Sequence, residues 1–276
     1  MMVSDVLKNG KAVIVEAFSS FRKNNDLSAS SSLAFSATLA LIPVLLSLTL
    51  LLGVVIGSSS GAMARTQELL LQLIPAHSQD ILREVQSIAS HGGVIGLLNL
   101  LVLFWRMTSL VGEMRKSLGI VFQKKQTRPF LVKKLLDVAI GIVFLLGLTA
   151  IAVGGIVLTL IKQKSHLNPL GHVESALPFL FITTVVFLLY LLYSDGRRII
   201  HLAAGALAAT LLWFTMRPAF HLFLLYNPGY GFAFGSFKSL FVVIIWIHFS
   251  LVVFLAGAEI AASLGGMKRS SSRTTA

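Results

Sequence analysis

Long apolar stretches separated by short polar ones dominate the chain. A helix needs about 20 mainly apolar residues to cross a hydrocarbon core about 30 Å thick. Six segments reach that length: residues 33–57, 93–112, 136–161, 176–194, 201–225 and 236–264. The first, from Leu33 to Gly57, carries no charge, and the third carries Asp137 at its start. Arg106 and Arg217 interrupt the second and fifth, yet each segment keeps enough apolar residues around its one charge to span. Residues 4–22 follow a different pattern. Val6, Leu7, Val13, Ile14, Ala17, Phe18 and Phe21 recur at helical spacing, with Lys8, Lys11 and Glu16 off that face. This predicts an amphipathic helix lying at a membrane interface. Residues 62–90 hold two shorter helical patterns broken near Pro75, and the final dozen residues, rich in Ser, Thr and basic side chains, are expected to be disordered.

The predicted fold class is an all-α integral membrane protein. It is a bundle of six transmembrane helices with an N-terminal amphipathic helix and an external helical segment between spans one and two. Residues 1–32 form a cytoplasmic arm, 33–264 the membrane domain with its external cap at 58–92, and 265–276 a disordered cytoplasmic tail. No tandem repeat and no second domain are visible.

Composition narrows the class further. Hydrophobic residues make up 55% of the 276 and charged residues 12%, about half the share of an average soluble domain, so a water-exposed globule is disfavoured. There is no cysteine, which removes disulfides, thiolate metal sites and thiol catalysis. The first apolar run is too long for a signal-peptide core and reads as a first span.

Net charge is +12. Position decides what that excess means. Lys8, Lys11, Arg22 and Lys23 precede span one. Arg115, Lys116, Lys124, Lys125, Arg128, Lys133 and Lys134 follow span two. Arg197 and Arg198 follow span four, and Lys268, Arg269 and Arg273 end the chain. These alternate regions hold 16 basic residues, whereas the opposite ones hold five: Arg65, Arg83, Lys162, Lys164 and Lys238. The positive-inside bias predicts both termini in the cytoplasm, as six spans require. The charge excess is then topological, with attraction to anionic headgroups besides, and nucleic acid is not the expected partner.

The chain resembles the YihY/BrkB family of bacterial inner-membrane proteins. Span one begins Leu33-Ala34-Phe35 after three serines and reaches Leu39-Ala40-Leu41-Ile42-Pro43, similar to the family's small-residue start and its Pro-terminated run. The C-terminal half matches better: Leu177-Pro178-Phe179, Gly196-Arg197-Arg198, His201, Ala204-Gly205-Ala206, Arg217, Tyr230 with Phe234-Gly235, Trp246, and Gly257-Ala258-Glu259. Phe234 and His248 depart from the family's tyrosines. The resemblance covers roughly residues 20–265. It implies six helices and an inner-membrane location but no settled activity. Some members were once called ribonuclease BN, others are associated with serum resistance, and one branch with export of lipopolysaccharide precursors.

Ionisable residues within spans are costly, about 2.5–3.5 kcal/mol for Arg or Asp at a helix centre by insertion scales, and usually face a partner or a path. At a rise of 1.5 Å per residue, Arg217 lies about 24 Å along span five, toward the outer leaflet, and Glu259 about 7 Å from the inner end of span six. The two are not expected to pair. By depth, Arg106, Glu113, Asp137, His201 and Glu259 form an expected inner polar cluster on a substrate or ion path. The alternative is a set of interfacial residues satisfied by water and one another. Arg217 and His221, one turn apart, are candidates for an anionic headgroup or substrate; the alternative is a snorkelling Arg. Pro43 and Pro218 are expected hinges or kinks, with Ser36 and Thr38 near enough to help satisfy the carbonyl that Pro43 frees. Asn227, Tyr230, Gly231 and Gly235 mark a turn-rich external loop. Gly53 with Gly57, and Ala204 with Ala208, are small-xxx-small pairs expected to pack helices.

No catalytic residue, metal site or cofactor is predicted. Clustered His and Asp ligands for hydrolysis are missing from the sequence, as are a Walker motif, Gly-x-Ser-x-Gly and His-Glu-x-x-His. The expected function is transport or binding of an anionic or amphipathic substrate such as a lipid, with membrane lipids as partners. The alternative is a non-transporting structural or partner-binding protein of the cell envelope, docking through residues 58–92.

Overall fold

The computed structural model describes residues 2–56, 61, 64–68, 93–124, 129–164, 171–194, 196–226 and 238–273. Seven long helices follow one another: α1 Met2–Lys23, α2 Asp26–Ile56, α3 Gly93–Val121, α4 Phe130–Lys164, α5 Gly171–Tyr193, α6 Ile199–Tyr226 and α7 Lys238–Arg273. Four stretches, Asp26–Gly53, Phe130–Gly155, Ile199–Tyr226 and Leu240–Gly266, are long and apolar enough to cross a membrane, and Pro178–Tyr193 is a shorter apolar helix. Large hydrophobics stand exposed along them, among them Val143, Leu180, Leu211 and Phe249. Apolar surface on this scale suits lipid and not water.

The junction between α1 and α2 is a two-asparagine turn. Asn25 takes a left-handed conformation with φ 56°, which Asn tolerates better than most residues. The Asn24 N–H donates to the Ser20 carbonyl at 2.8 Å and closes α1, while the Asn25 carbonyl accepts from Ser28 and Ala29 at 3.1 and 3.2 Å and opens α2. Asp26 follows in the first turn, where negative charge complements the helix dipole. The helix thus begins before the expected edge at Leu33. The serines between are helical, and Ser30 donates back to the Asp26 carbonyl at 2.8 Å.

Two other boundaries differ from the expectation. The chain from residue 265, expected to be disordered, continues α7 as helix to Arg273. Gly265 lies inside it, and the bare glycine lets the Arg197 side chain lie against the helix, where a Cβ would come within 2.8 Å of the guanidinium. The prolines do not divide their helices either. α2 runs on through Pro43 and α6 through Pro218. Thr38 donates to the Ala34 carbonyl at 2.8 Å, so its hydroxyl serves that group and not the Leu39 carbonyl freed by Pro43.

α2 packs against α3, α4 and α7, α6 makes its most extensive contact with α7, and α5 lies against α6 and α4. The α6–α7 crossing is close because glycines meet. A Cβ on Gly205 would stand 2.5 Å from the Ala261 Cβ and from the Gly257 carbonyl, and one on Gly257 would stand 2.5 Å from the Ala209 Cβ. The contact pairs are therefore Gly205 with Ala209 and Gly257 with Ala261, not the expected Ala204 with Ala208; Ala204 faces outward.

One core, at the α1 end of the helices, gathers Leu33, Leu118, Phe122, Tyr190, Leu202 and Leu255. A second, further along, gathers Leu45, Phe220, Val243 and Trp246. Tyr190 is fully buried, and its hydroxyl donates to the Phe254 carbonyl.

α1 packs on α7. Its apolar residues divide between two faces. Val13 and Ala17 are buried, while Ile14 and Phe18 remain 64% and 63% exposed. Of the expected external cap at 58–92, most lies outside the described residues. The part that is described touches the spans: Thr66 bonds Thr49 of α2 at 3.1 Å, and Arg65 donates to the Ala152 carbonyl of α4 at 3.1 Å while pairing with Glu68.

Candidate functional site

Glu259 sits in the segment Gly257-Ala258-Glu259, where each residue has a different neighbour. Gly257 touches α6, and Ala258 is fully buried in the core. Glu259 turns to the α1–α2 junction. Its Oε1 accepts the Asn24 side-chain amide at 2.6 Å, two residues before the buried Asp26 that opens α2. Both acids are almost fully buried, at 2% and 1% exposure. The Arg197 guanidinium acts on Glu259 from the turn before α6. Gly196, at φ 62°, makes that turn, and Arg197 is held by a 2.5 Å bond to the Ala262 carbonyl and by the Phe122 ring 5.5 Å away. His201 lies on the same side of α7, its Nδ1 being 3.7 Å from where a Gly265 Cβ would be.

The expected cluster of Arg106, Glu113, Asp137, His201 and Glu259 is divided. Asp137 is buried at 1% exposure and pairs with Arg115, which also donates to the Lys133 carbonyl at 3.2 Å. Gly112 lies beside the pair, where a Cβ would meet both charged groups in ordinary contact at 3.5 and 3.7 Å. Glu113 is half-buried one turn from Ser117, which donates to its carbonyl at 3.1 Å. Arg106 is half-buried and stacks its guanidinium 4.5 Å from the Trp105 ring centroid, on a tryptophan that faces outward. A cation over an indole face gains about 0.5–2 kcal/mol.

On α6, Phe220 is buried against Trp246, with ring centroids 5.2 Å apart. That fixes the helix rotation. Arg217 is then half-buried, and Pro218 and His221 are exposed beside Leu222 and Phe223. Asn227, Tyr230, Gly231 and Gly235 lie outside the described residues.

Sequence reasoning missed Asn24 and Asp26, and it took Arg197 for a topology signal. An acid directly after an Asn pair, at the head of a long uncharged run, was the available sign. Among the described residues no three His, Asp or Glu side chains are grouped to hold a metal ion.

Residues 17–276 match the model of the family described as virulence factor BrkB. A UPF0761 membrane protein of Azoarcus sp. is 26% identical over 239 residues, covering 84% of this chain and 58% of the relative. Another from Alcanivorax borkumensis is 26% identical, covering 92% and 60%. One from Haemophilus influenzae is 21% identical over 94% of this chain and 96% of its own length. The chain thus spans about three fifths of the length of the first two. No solved structure matches.

Proposed function

This chain belongs to the virulence factor BrkB family, whose relatives are named membrane proteins, and we propose that it binds and moves an anionic or amphipathic substrate, with lipid as the best-fitting class. In this reading it is not an enzyme. Helices α2 to α7 make six crossings of a bacterial inner membrane, both termini face the cytoplasm, and α1 lies along the inner surface. The 16-to-5 partition of basic residues supports that orientation. The outward Ile14 and Phe18 support the position of α1, because an interfacial helix keeps an apolar face for acyl chains.

The observation that carries the substrate class is the Arg217–His221 pair. α6 contains no acidic residue from Ile199 to Tyr226. Its two basic side chains in this region lie half-buried and exposed, beside exposed Leu222, Phe223 and Leu225. A guanidinium grips phosphate or carboxylate through paired N–H groups, and the flanking apolar side chains suit acyl chains. An anionic amphiphile satisfies both at once.

Reconstitution into liposomes, with lipid scrambling and anion flux read in parallel, tests the reading. Activity above protein-free vesicles is expected, with loss in Arg217→Ala and Glu259→Gln. Equal activity in wild type and both variants would remove these residues from the path.

A further inference from the structure

The α3–α4 corner at the α1 end of the helices carries exposed basic and apolar side chains together. Arg115 fastens the two helices there, paired with Asp137 and donating to the Lys133 carbonyl at 3.2 Å. Around that fastening, Lys116 and Ile120 are exposed one turn apart on α3, and Phe130 and Lys134 one turn apart on α4. Leu131 and Leu135 flank the second pair. Phe130, Leu131 and Leu135 are 74%, 79% and 73% exposed.

Depth says what this corner meets. The apolar stretch of α4 ends at Gly155, and a hydrocarbon core about 30 Å thick takes about 20 residues. Counting back from Gly155 puts Leu136 at its edge. Phe130 to Leu135, about 9 Å of helix, then stand in the headgroup layer, where aromatic rings gather. Lysine stems lie along apolar neighbours there and carry their ammonium groups out to phosphate. Charge points the same way. Between Glu113 and Asp137 the sequence holds basic residues and no acid. Arg115 is engaged with Asp137, and Lys124 donates to the Leu192 and Ser194 carbonyls at 3.1 and 3.3 Å. Glu113, one turn before Lys116, has its Oε2 buried, whereas Lys116 and Lys134 face outward. Water would leave three large apolar side chains uncovered beside two cations. Anionic lipid covers both, with acyl chains on the apolar groups and phosphates on the ammonium groups.

We propose that this corner is a binding surface for anionic phospholipid in the leaflet at the α1 end. Lys116 and Lys134 hold the headgroup, and Phe130, Leu131 and Leu135 lie against the acyl chains. The surface is separate from the Arg217–His221 pair, which lies about 24 Å along α6 toward the opposite face. It anchors the α3–α4 connection to the bilayer. Of the reading above it takes only that α4 crosses a membrane; it needs no transport and holds for either orientation of the termini.

The chain has no cysteine, so Leu131→Cys in the full chain takes a single bimane label. Nanodiscs of equal phosphatidylglycerol and phosphatidylcholine, with one lipid or the other brominated near the top of its acyl chains, then read the local lipid, because bromine quenches a fluorophore beside it. Stronger quenching by brominated phosphatidylglycerol is expected. That excess is lost when Lys116→Gln and Lys134→Gln are combined, and the thermal midpoint stays that of the labelled parent, since both lysines are exposed. Equal quenching by the two lipids, or the same excess in the double variant, overturns the site while leaving α4 in the bilayer. No quenching by either lipid overturns the site and the crossing by α4 with it. Preferential quenching without scrambling or flux retains the site and rejects the transport reading.

Discussion

Asn24 donates its side-chain amide to Glu259 at 2.6 Å although 235 residues separate them. This bond ties the first turn of the chain to the last helix. Glu259→Ala leaves the Asn24 amide without its acceptor. A buried hydrogen bond to a charged group contributes about 1.5–3 kcal/mol, so the thermal midpoint in detergent is expected to fall by several degrees. Glu259→Gln keeps an acceptor oxygen and is expected to fall less. Equal midpoints for the two variants would contradict the arrangement.

The Arg115–Asp137 pair makes a different prediction. Removing one member of a buried pair costs about 3–5 kcal/mol, because the other charge stays behind. Arg115→Met is therefore expected to destabilise strongly. Arg115→Met with Asp137→Leu is expected to recover much of the loss, since no charge then remains buried. Additive losses in the double variant, measured by thermal unfolding, would argue against a closed pair.

The α6–α7 crossing predicts a contrast between two glycines. Gly257→Ala places a methyl 2.5 Å from the Ala209 Cβ and 2.8 Å from the Tyr190 hydroxyl, and overpacking of this kind costs about 1–3 kcal/mol. Gly154→Ala meets nothing within 4 Å and gains helix propensity of up to about 1 kcal/mol. Opposite signs of the two midpoint shifts are expected.

These contacts show how far the sequence reached. Apolar run length predicted the helices, because it acts over many residues at once. Depth along a span was also legible, and it kept Arg217 apart from Glu259. Rotation about the helix axis was not. Counting rise put Arg106 and Glu113 near Asp137, whereas the partner is Arg115, on the face that Gly112 shares. The same ambiguity moved the α6 contact from Ala204 to Gly205, since residues 203–206 are all small and several small pairs fit the spacing. Asp26 was hidden because a serine-rich stretch reads as a polar arm until its hydroxyls are seen bonding back to the helix.

Because the chain has no cysteine, single-cysteine labelling reads topology cleanly. Lys23→Cys, Lys125→Cys and Ser271→Cys are expected to react with an impermeant maleimide after the inner membrane is opened and not before. His77→Cys and His166→Cys are expected to react once the outer barrier is breached. Labelling of Lys23→Cys or Ser271→Cys from the outside would contradict cytoplasmic termini.

Lipid retention tests the central claim most directly: that the α6 basic pair holds an anionic amphiphile. Protein purified from mixed anionic and zwitterionic lipid and examined by native mass spectrometry should carry anionic lipid in excess. Arg217→Ala combined with His221→Ala should lose that excess while keeping the zwitterionic background and the thermal midpoint. The same anionic excess in the wild type and the double variant would contradict it.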